Sequence, residues 1–143
     1  MSHTIEIKID LDKPDVNVTW SKLAGHPLFY KYLGKMALIH ALKNLDYGDG
    51  DPLGNFKFSE EITGIPAWKG ALVRLTDKWG RIKSLLKKEK AYVQDETLED
   101  TLLDNAVYSL LVLALREQEI SNVCASEKLD TASYFGIGQI GGR

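Results

Sequence analysis

Hydrophobic and polar residues alternate at the start of the chain. Ile5, Ile7 and Ile9 are separated by single polar residues, and the alternation resumes at Val16 after a turn-forming Asp-Lys-Pro-Asp segment. A period of two is typical of strands that bury one face, so the pattern predicts a β-hairpin over residues 4–20. A lone hairpin is marginal in water, and this one needs helices or a partner chain to pack on.

After Pro27 the apolar residues recur three and four positions apart, which is the spacing of helices. This spacing predicts long helices over 28–45, from Pro66 onward and over 97–118, with a short turn at 59–64. The fold class is therefore expected to be mainly α, a bundle of three long helices plus short ones with an N-terminal β-hairpin. We expect one domain over 1–143, with a helical core at 28–118 and a C-terminal tail or arm at 121–143.

The apolar spacing also predicts how two of these helices are buried. On the second long helix, a 3,4,3,4 spacing predicts a core seam formed by Leu72, Leu75, Trp79, Ile82 and Leu86. The third long helix is apolar nearly all round between residues 106 and 115, as expected of a helix in the middle of a bundle.

Composition narrows the function classes. A length of 143 residues with 44% hydrophobic residues suits one compact core, and a net charge of -2 argues against general nucleic-acid binding. The longest apolar run, residues 110–115, is far too short to span a membrane. The lone Cys124 cannot form an internal disulfide. We expect a protein of the cytoplasm that makes no membrane contact.

A pair of aspartates precedes the apolar run of the third long helix. Asp100 and Asp104 are four residues apart and so share a helix face, which continues through Val107 and Leu111. Two carboxylates held there repel unless a cation compensates, and oxygen ligands suit Mg²⁺ or Mn²⁺. The alternative is that acidic residues favour the helix N-terminus, where Lys or Arg from a neighbouring helix pairs with them.

Further polar groups complete a candidate site for a nucleotide or another phosphorylated small molecule. A divalent metal could be held by Asp77, Asp100 and Asp104 with Glu60 or Glu61. Cations at helical spacing on the second long helix could bind phosphate: Arg74, Lys78 and Arg81. Candidates for base or sugar contacts are Asn55, Phe56, Asn105 and Tyr108.

Three segments also resemble a known family. The Asp-Tyr-Gly to Asn-Phe segment at 46–56, the Arg-x-x-Asp-Lys-x-x-Arg motif at 74–81 and the Asp-x-x-x-Asp segment at 95–108 resemble the nucleotide-modification-associated domain of the first type. A more distant likeness is to the all-α nucleoside triphosphate pyrophosphatases of the MazG and dimeric dUTPase type. Thr101 stands where that group has a glutamate, and Gly64 replaces another. The resemblance implies a nucleotide-binding protein of bacterial or phage nucleotide metabolism, in the host cytoplasm if phage-encoded.

Two function classes remain open, and a homo-oligomer is expected in both. One is an Mg²⁺-dependent nucleoside triphosphate pyrophosphatase, in which the metal polarises the phosphate and activates water. The other is a non-catalytic protein that sequesters a nucleotide signal or blocks a host factor. In that class the charged residues form an ion network between helices.

Overall fold

The computed structural model describes residues 3–22, 24–47, 50–87 and 97–135, and the side chains of these residues apart from Tyr47 and 128–135. Within them, two strands precede four helices. The elements in chain order are β1 (Ile5–Asp10), β2 (Asp15–Trp20), α1 (Pro27–Tyr47), α2 (Gly54–Thr63), α3 (Ala67–Lys87) and α4 (Leu98–Phe135). The predicted mainly helical fold with an N-terminal hairpin is confirmed.

The hairpin forms by antiparallel pairing of β1 with β2. Ile7 pairs with Val18 and Ile9 with Val16, so the branched side chains share one half-buried face. The turn is closed by the carboxylate of Asp10, which accepts hydrogen bonds from the backbone N–H groups of residues 12 and 13, both at 3.0 Å.

The hairpin packs on α1 at a glycine. Gly34 is buried, and a Cβ at this position would collide with the side chains of Val16 and Ile7. A residue without a side chain is therefore needed for the hairpin to approach the helix closely. This contact gives the apolar face of the hairpin the support that an isolated hairpin lacks.

Helix α2 is longer than predicted, because it begins within the segment expected to be a loop. The carboxylate of Asp51 accepts a hydrogen bond from the backbone N–H of Leu53 at 2.9 Å just before the helix starts. The helix ends as predicted at Gly64, which adopts φ 69° and donates its N–H to the carbonyl of Glu60 at 2.8 Å. The chain can therefore turn directly into α3.

Helices α3 and α4 pack antiparallel through small residues. Ala71 is fully buried, and with Ala67 it forms a core cluster with Leu53 and Leu115. Alanines let the two helix backbones approach closely. This contact replaces the predicted seam of larger side chains on α3, of which only Ile82 is buried.

The prediction that Trp79 lies in the core is wrong, since 58% of this residue is exposed. Leu72 and Leu86 are also exposed. Their 3,4 spacing correctly marks one apolar face of α3. Within the described residues this face is only partly covered, because α3 turns its alanines toward α4: Ile82 is buried and Leu75 half-buried, at the side nearer the alanines.

The expectation that α4 is buried on all sides is also wrong. Val107 and Leu115 are buried, but Leu110 and Leu113 are 51% and 63% exposed. Too few helices surround α4 in the described part of the chain to cover its whole circumference. The helix also continues to Phe135, through much of the region interpreted as a tail or arm. Residues 136–143 of that region lie outside the described residues.

Among the described residues, no helix combines the length and the apolar character needed to cross a membrane.

The contact at Gly34 leads to a stability prediction. Gly34→Ala should lower the free energy of unfolding by about 1 to 3 kcal/mol, because the β-branched Val16 has little freedom to move away. Gly80→Ala is the matched control, since nothing lies within 4 Å of its added Cβ. In α3 that substitution should stabilise by about 0.5 to 1 kcal/mol. Urea unfolding measures both variants, and equal stability of Gly34→Ala and the unchanged protein would contradict the packing described here.

Candidate functional site

One carboxylate connects three helices. Asp104 of α4 accepts a hydrogen bond from the ammonium of Lys43 in α1 on one oxygen and pairs with Lys78 of α3 on the other, both at 2.7 Å. The aspartate side chain is 21% exposed and Lys78 is 26% exposed, whereas about half of Lys43 is exposed. Both oxygens of the carboxylate are thus engaged by cations.

The network keeps Asp104 ionised and leaves the cluster positive. Burial raises the pKa of this carboxyl, but the hydrogen bonds from Lys43 and Lys78 lower it by more, so the net shift is below the usual value. Two ammonium groups contact one carboxylate, so the three side chains together carry a net charge of +1. Each ammonium has three N–H groups, so donors remain for an anion.

A cleft of about 380 Å³ lies beside this network between α1, α2, α3 and α4. Among the described residues that line it, none is acidic, and two are cationic, Lys43 and Arg74. Its polar lining also includes His40, Asn44 and Asn55. The cleft therefore combines positive charge with amide and imidazole groups.

Two aromatic residues line the cleft beside the aliphatic Pro52, Val107 and Leu111. Phe56 and Tyr108 meet edge to face, with ring centroids 6.1 Å apart. The ammonium of Lys78 lies 5.7 Å from the centre of the Tyr108 ring, which brings the ion network and the aromatic pair together. Cations and aromatic rings consequently reach the same space from different helices.

Helix geometry explains why these side chains converge. On α1, His40 and Asn44 are one turn apart, and the amide nitrogen of Asn44 lies 3.1 Å from Nε2 of His40. Lys43 projects from the same turn of the helix. The early start of α2 places Asn55 and Phe56 within a helix rather than a loop, with a defined orientation toward α4.

The carboxylates predicted to bind a metal do not meet at one point in the structure, and two of them cap helices instead. Asp100 and Thr97 cap α4: Thr97 Oγ1 accepts from the Asp100 backbone N–H at 3.1 Å and donates to the Asp100 carboxylate at 2.8 Å. Glu60 caps α3, accepting a hydrogen bond from the backbone N–H of Ala67 at 3.2 Å. Glu61 and Asp77 are exposed.

Within the described ranges, no three His, Cys, Asp or Glu side chains are grouped so that they could hold a metal ion. Asp104, the most buried of the predicted ligands, already has a cation on each oxygen. The donor set around it therefore fits an ion network better than a metal cage. The Mg²⁺ or Mn²⁺ site stays a prediction from sequence.

The other predicted residues have mixed outcomes. Arg74, Asn55, Phe56 and Tyr108 all line the cleft, whereas Lys78 belongs to the adjoining network. Other predicted contacts do not line it: Arg81 and Asn105. Asn105 Nδ2 is buried, with no hydrogen-bond partner within the described structure.

Three polar residues of α1 were missed as site residues: His40, Lys43 and Asn44. The signal was present, because these polar residues interrupt the C-terminal part of a helix whose spacing is otherwise apolar. Sequence periodicity could place them on one side of α1. It could not show that this side meets α4 at Asp104, because residues 61 positions apart in the chain make that contact.

No family model matches the chain, and no match was found among curated proteins or solved structures. The likeness to the nucleotide-modification-associated domain thus stays a resemblance.

The ion network predicts a specific loss of stability. Asp104→Asn should lower the free energy of unfolding by about 1 to 2 kcal/mol at neutral pH, since two partly exposed ammonium groups lose their counter-charge. The exposed Asp77→Asn on α3 is the control and should change it by less than about 0.5 kcal/mol. Denaturant unfolding measures both variants.

The same pair of proteins tests the pH dependence. Because the pKa of Asp104 is lowered in the folded protein, its contribution is complete above the unfolded pKa of about 3.9. It is lost as the pH falls through the lower folded value. The stability difference between the unchanged protein and Asp104→Asn should therefore shrink below about pH 4. If the difference in unfolding free energy did not shrink as the pH fell below about 4, the carboxylate of Asp104 would be excluded as its source.

Proposed function

We propose that the protein binds a nucleotide, or another phosphorylated molecule that carries a planar ring, in the cleft between its helices. The observation that carries this proposal is that cations and aromatic rings line one cleft in which the described lining residues are all non-acidic. A nucleotide joins an anionic phosphate to an aromatic base. The cleft offers complementary groups for both parts.

The phosphate end of the ligand would meet Lys43 and Arg74. A guanidinium can donate two parallel hydrogen bonds to phosphate oxygens, and an ammonium acts as a compact charge with rotatable donors. Asp104 orients Lys43 through one N–H and leaves the others available. The surplus positive charge of the network adds attraction for an anion that enters the cleft.

The ring end would lie against Phe56 and Tyr108. Stacking on aromatic side chains tolerates any base, because every base has a π-face. The amides of Asn44 and Asn55 can each donate and accept hydrogen bonds, so they can read the edge of a base or the hydroxyls of a sugar. A volume of about 380 Å³ falls in the range of small-molecule clefts.

The cation pairing of Asp104 favours binding over hydrolysis. Metal-assisted phosphate hydrolysis uses carboxylates that are free to hold the ion, whereas this carboxylate is engaged on both oxygens. In our proposal any Mg²⁺ arrives with the phosphates of the ligand, and the protein supplies cations and rings. A non-catalytic role in holding a cytoplasmic nucleotide or nucleotide signal follows.

Calorimetric titration with ribo- and deoxyribonucleotides, with and without Mg²⁺, tests this function. At least one nucleotide should bind, and Arg74→Ala should weaken it by about tenfold or more, since it removes a charge-assisted contact. Arg116→Ala is the matched control, because Arg116 lies over the Trp68 ring outside the cleft lining. Binding to this control should be unchanged.

Phe56→Ala separates the two ends of the ligand. The substitution should lower the affinity for a nucleotide. It should leave the affinity for inorganic pyrophosphate, which has no ring, unchanged. A panel in which no nucleotide binds would refute the proposed function. Equal losses in Arg74→Ala and Arg116→Ala would move the site away from this cleft.

A further inference from the structure

A second cavity adjoins the proposed nucleotide cleft. It measures about 180 Å³ and shares the lining residues Asn44, Pro52 and Asn55 with the cleft. Asn44 follows Lys43, the proposed phosphate contact on α1, and Asn55 precedes Phe56, the proposed ring contact on α2. The second cavity, which we call the side pocket, therefore borders the cleft between its phosphate end and its ring end.

The side pocket differs from the cleft in its charge. Among its described lining residues only Asp51 is charged, whereas the described lining of the cleft has two cations and no carboxylate. Gly50 and Gly54 line the same pocket and have no side chains that would fill it. The side pocket therefore offers a hydrogen-bond acceptor in an open space, and its negative charge does not suit a phosphate.

The carboxylate of Asp51 is fixed in position and ionised. Its Oδ1 accepts a hydrogen bond from the backbone N–H of Leu53 at 2.9 Å, and its Oδ2 accepts one from the ammonium of Lys57 at 2.7 Å. The hydrogen bond from Lys57, followed by that from Leu53, lowers the pKa of this carboxyl. A carboxylate has about four lone-pair sites, so each oxygen can accept a further hydrogen bond. Two hydroxyl groups held side by side fit such an acceptor.

We propose that the side pocket binds the sugar of a nucleotide and that Asp51 accepts hydrogen bonds from the 2′ and 3′ hydroxyls of a ribose. This inference rests on the proposed function, because it requires the phosphate and the ring of the nucleotide to lie in the cleft. In a nucleotide the sugar joins the phosphate to the base, and its two neighbouring hydroxyls project from an edge that is bonded to neither. An acidic side chain recognises a ribose hydroxyl in the same way in dinucleotide-binding folds.

The size and charge of the side pocket restrict the class of ligand. Its volume is less than half the 380 Å³ of the cleft, but it far exceeds the roughly 10 to 15 Å³ that admits one water. It therefore has room for a sugar ring. A phosphate on the 2′ or 3′ oxygen would face Asp51 with like charge, which is unfavourable. The ligand class is thus a ribonucleotide whose 2′ and 3′ hydroxyls are both free.

Calorimetric titration of each ribonucleoside 5′-triphosphate beside its 2′-deoxy form tests this assignment. The ribonucleotide should bind about tenfold more tightly, because the 2′-deoxy form lacks one hydrogen bond to a charged acceptor. A 3′-phosphate on the ribonucleotide should weaken binding by a similar factor. Asp51→Asn should reduce both differences to about twofold or less, and it should keep the fold because asparagine caps helices as well as aspartate does.

Lys57→Met is the matched control for Asp51→Asn. Both substitutions break the ion pair between Asp51 and Lys57, but the control leaves the carboxylate and its hydrogen bond from Leu53 in place. Lys57 is not among the described residues that line the cleft or the side pocket. The control should therefore keep the preference for ribose. A preference that persists in Asp51→Asn, or that is lost equally in Lys57→Met, overturns the assignment.

The titrations also separate this inference from the proposed function. If a nucleotide binds but its ribo and 2′-deoxy forms have equal affinity, the proposed function stands and the assignment of the side pocket is refuted. If none of the nucleotides binds, the proposed function is refuted, and the assignment of the side pocket fails with it.

Discussion

The three long helices depend on one carboxylate. Asp104 receives a lysine from α1 on one oxygen and a lysine from α3 on the other. Without the two lysines, the half-buried carboxylate would be desolvated with no compensating interaction. Without the aspartate, the two ammonium groups would repel each other. The pairing thus joins α1 and α3 to α4 at the edge of the cleft that they border. At this end of the bundle, charge adds to the apolar packing between the helices.

The hydrophobic core itself is small. Its central cluster rests on two alanines of α3 against Leu53 and Leu115, and no large side chain among the described residues is fully buried. Close approach of α3 and α4 brings Lys78 within reach of both Asp104 and Tyr108. The same packing leaves larger residues such as Trp79 outside. The small core therefore leaves room for the polar cleft, and within the described residues it leaves apolar side chains of α3 and α4 exposed.

Two of the five acidic residues that suggested a metal site cap helices instead. Asp100 and Glu60 each satisfy backbone N–H groups at the start of a helix, where no intrahelical acceptor exists. The alternative raised from sequence, acidic residues that favour helix N-termini together with lysines from neighbouring helices, describes Asp100 and Asp104 as the structure has them. Two carboxylates at i, i+4 can therefore have separate roles, one in a helix cap and one in an ion pair between helices. Their spacing alone does not distinguish this arrangement from a shared metal site.

The sequence by itself determined the class of fold, because periods of two and of three to four residues depend only on local backbone geometry. It also singled out Phe56, Arg74 and Tyr108 as candidate site residues, and the structure places all three around one cleft. Only the tertiary structure decided that Lys43 meets Asp104 and that Trp79 and Leu113 are exposed. An apolar face is a local property, whereas its cover depends on which distant helix packs there. Likewise, residue type gives a carboxylate its charge, but the packing of helices that are far apart in the chain determines which cation it contacts.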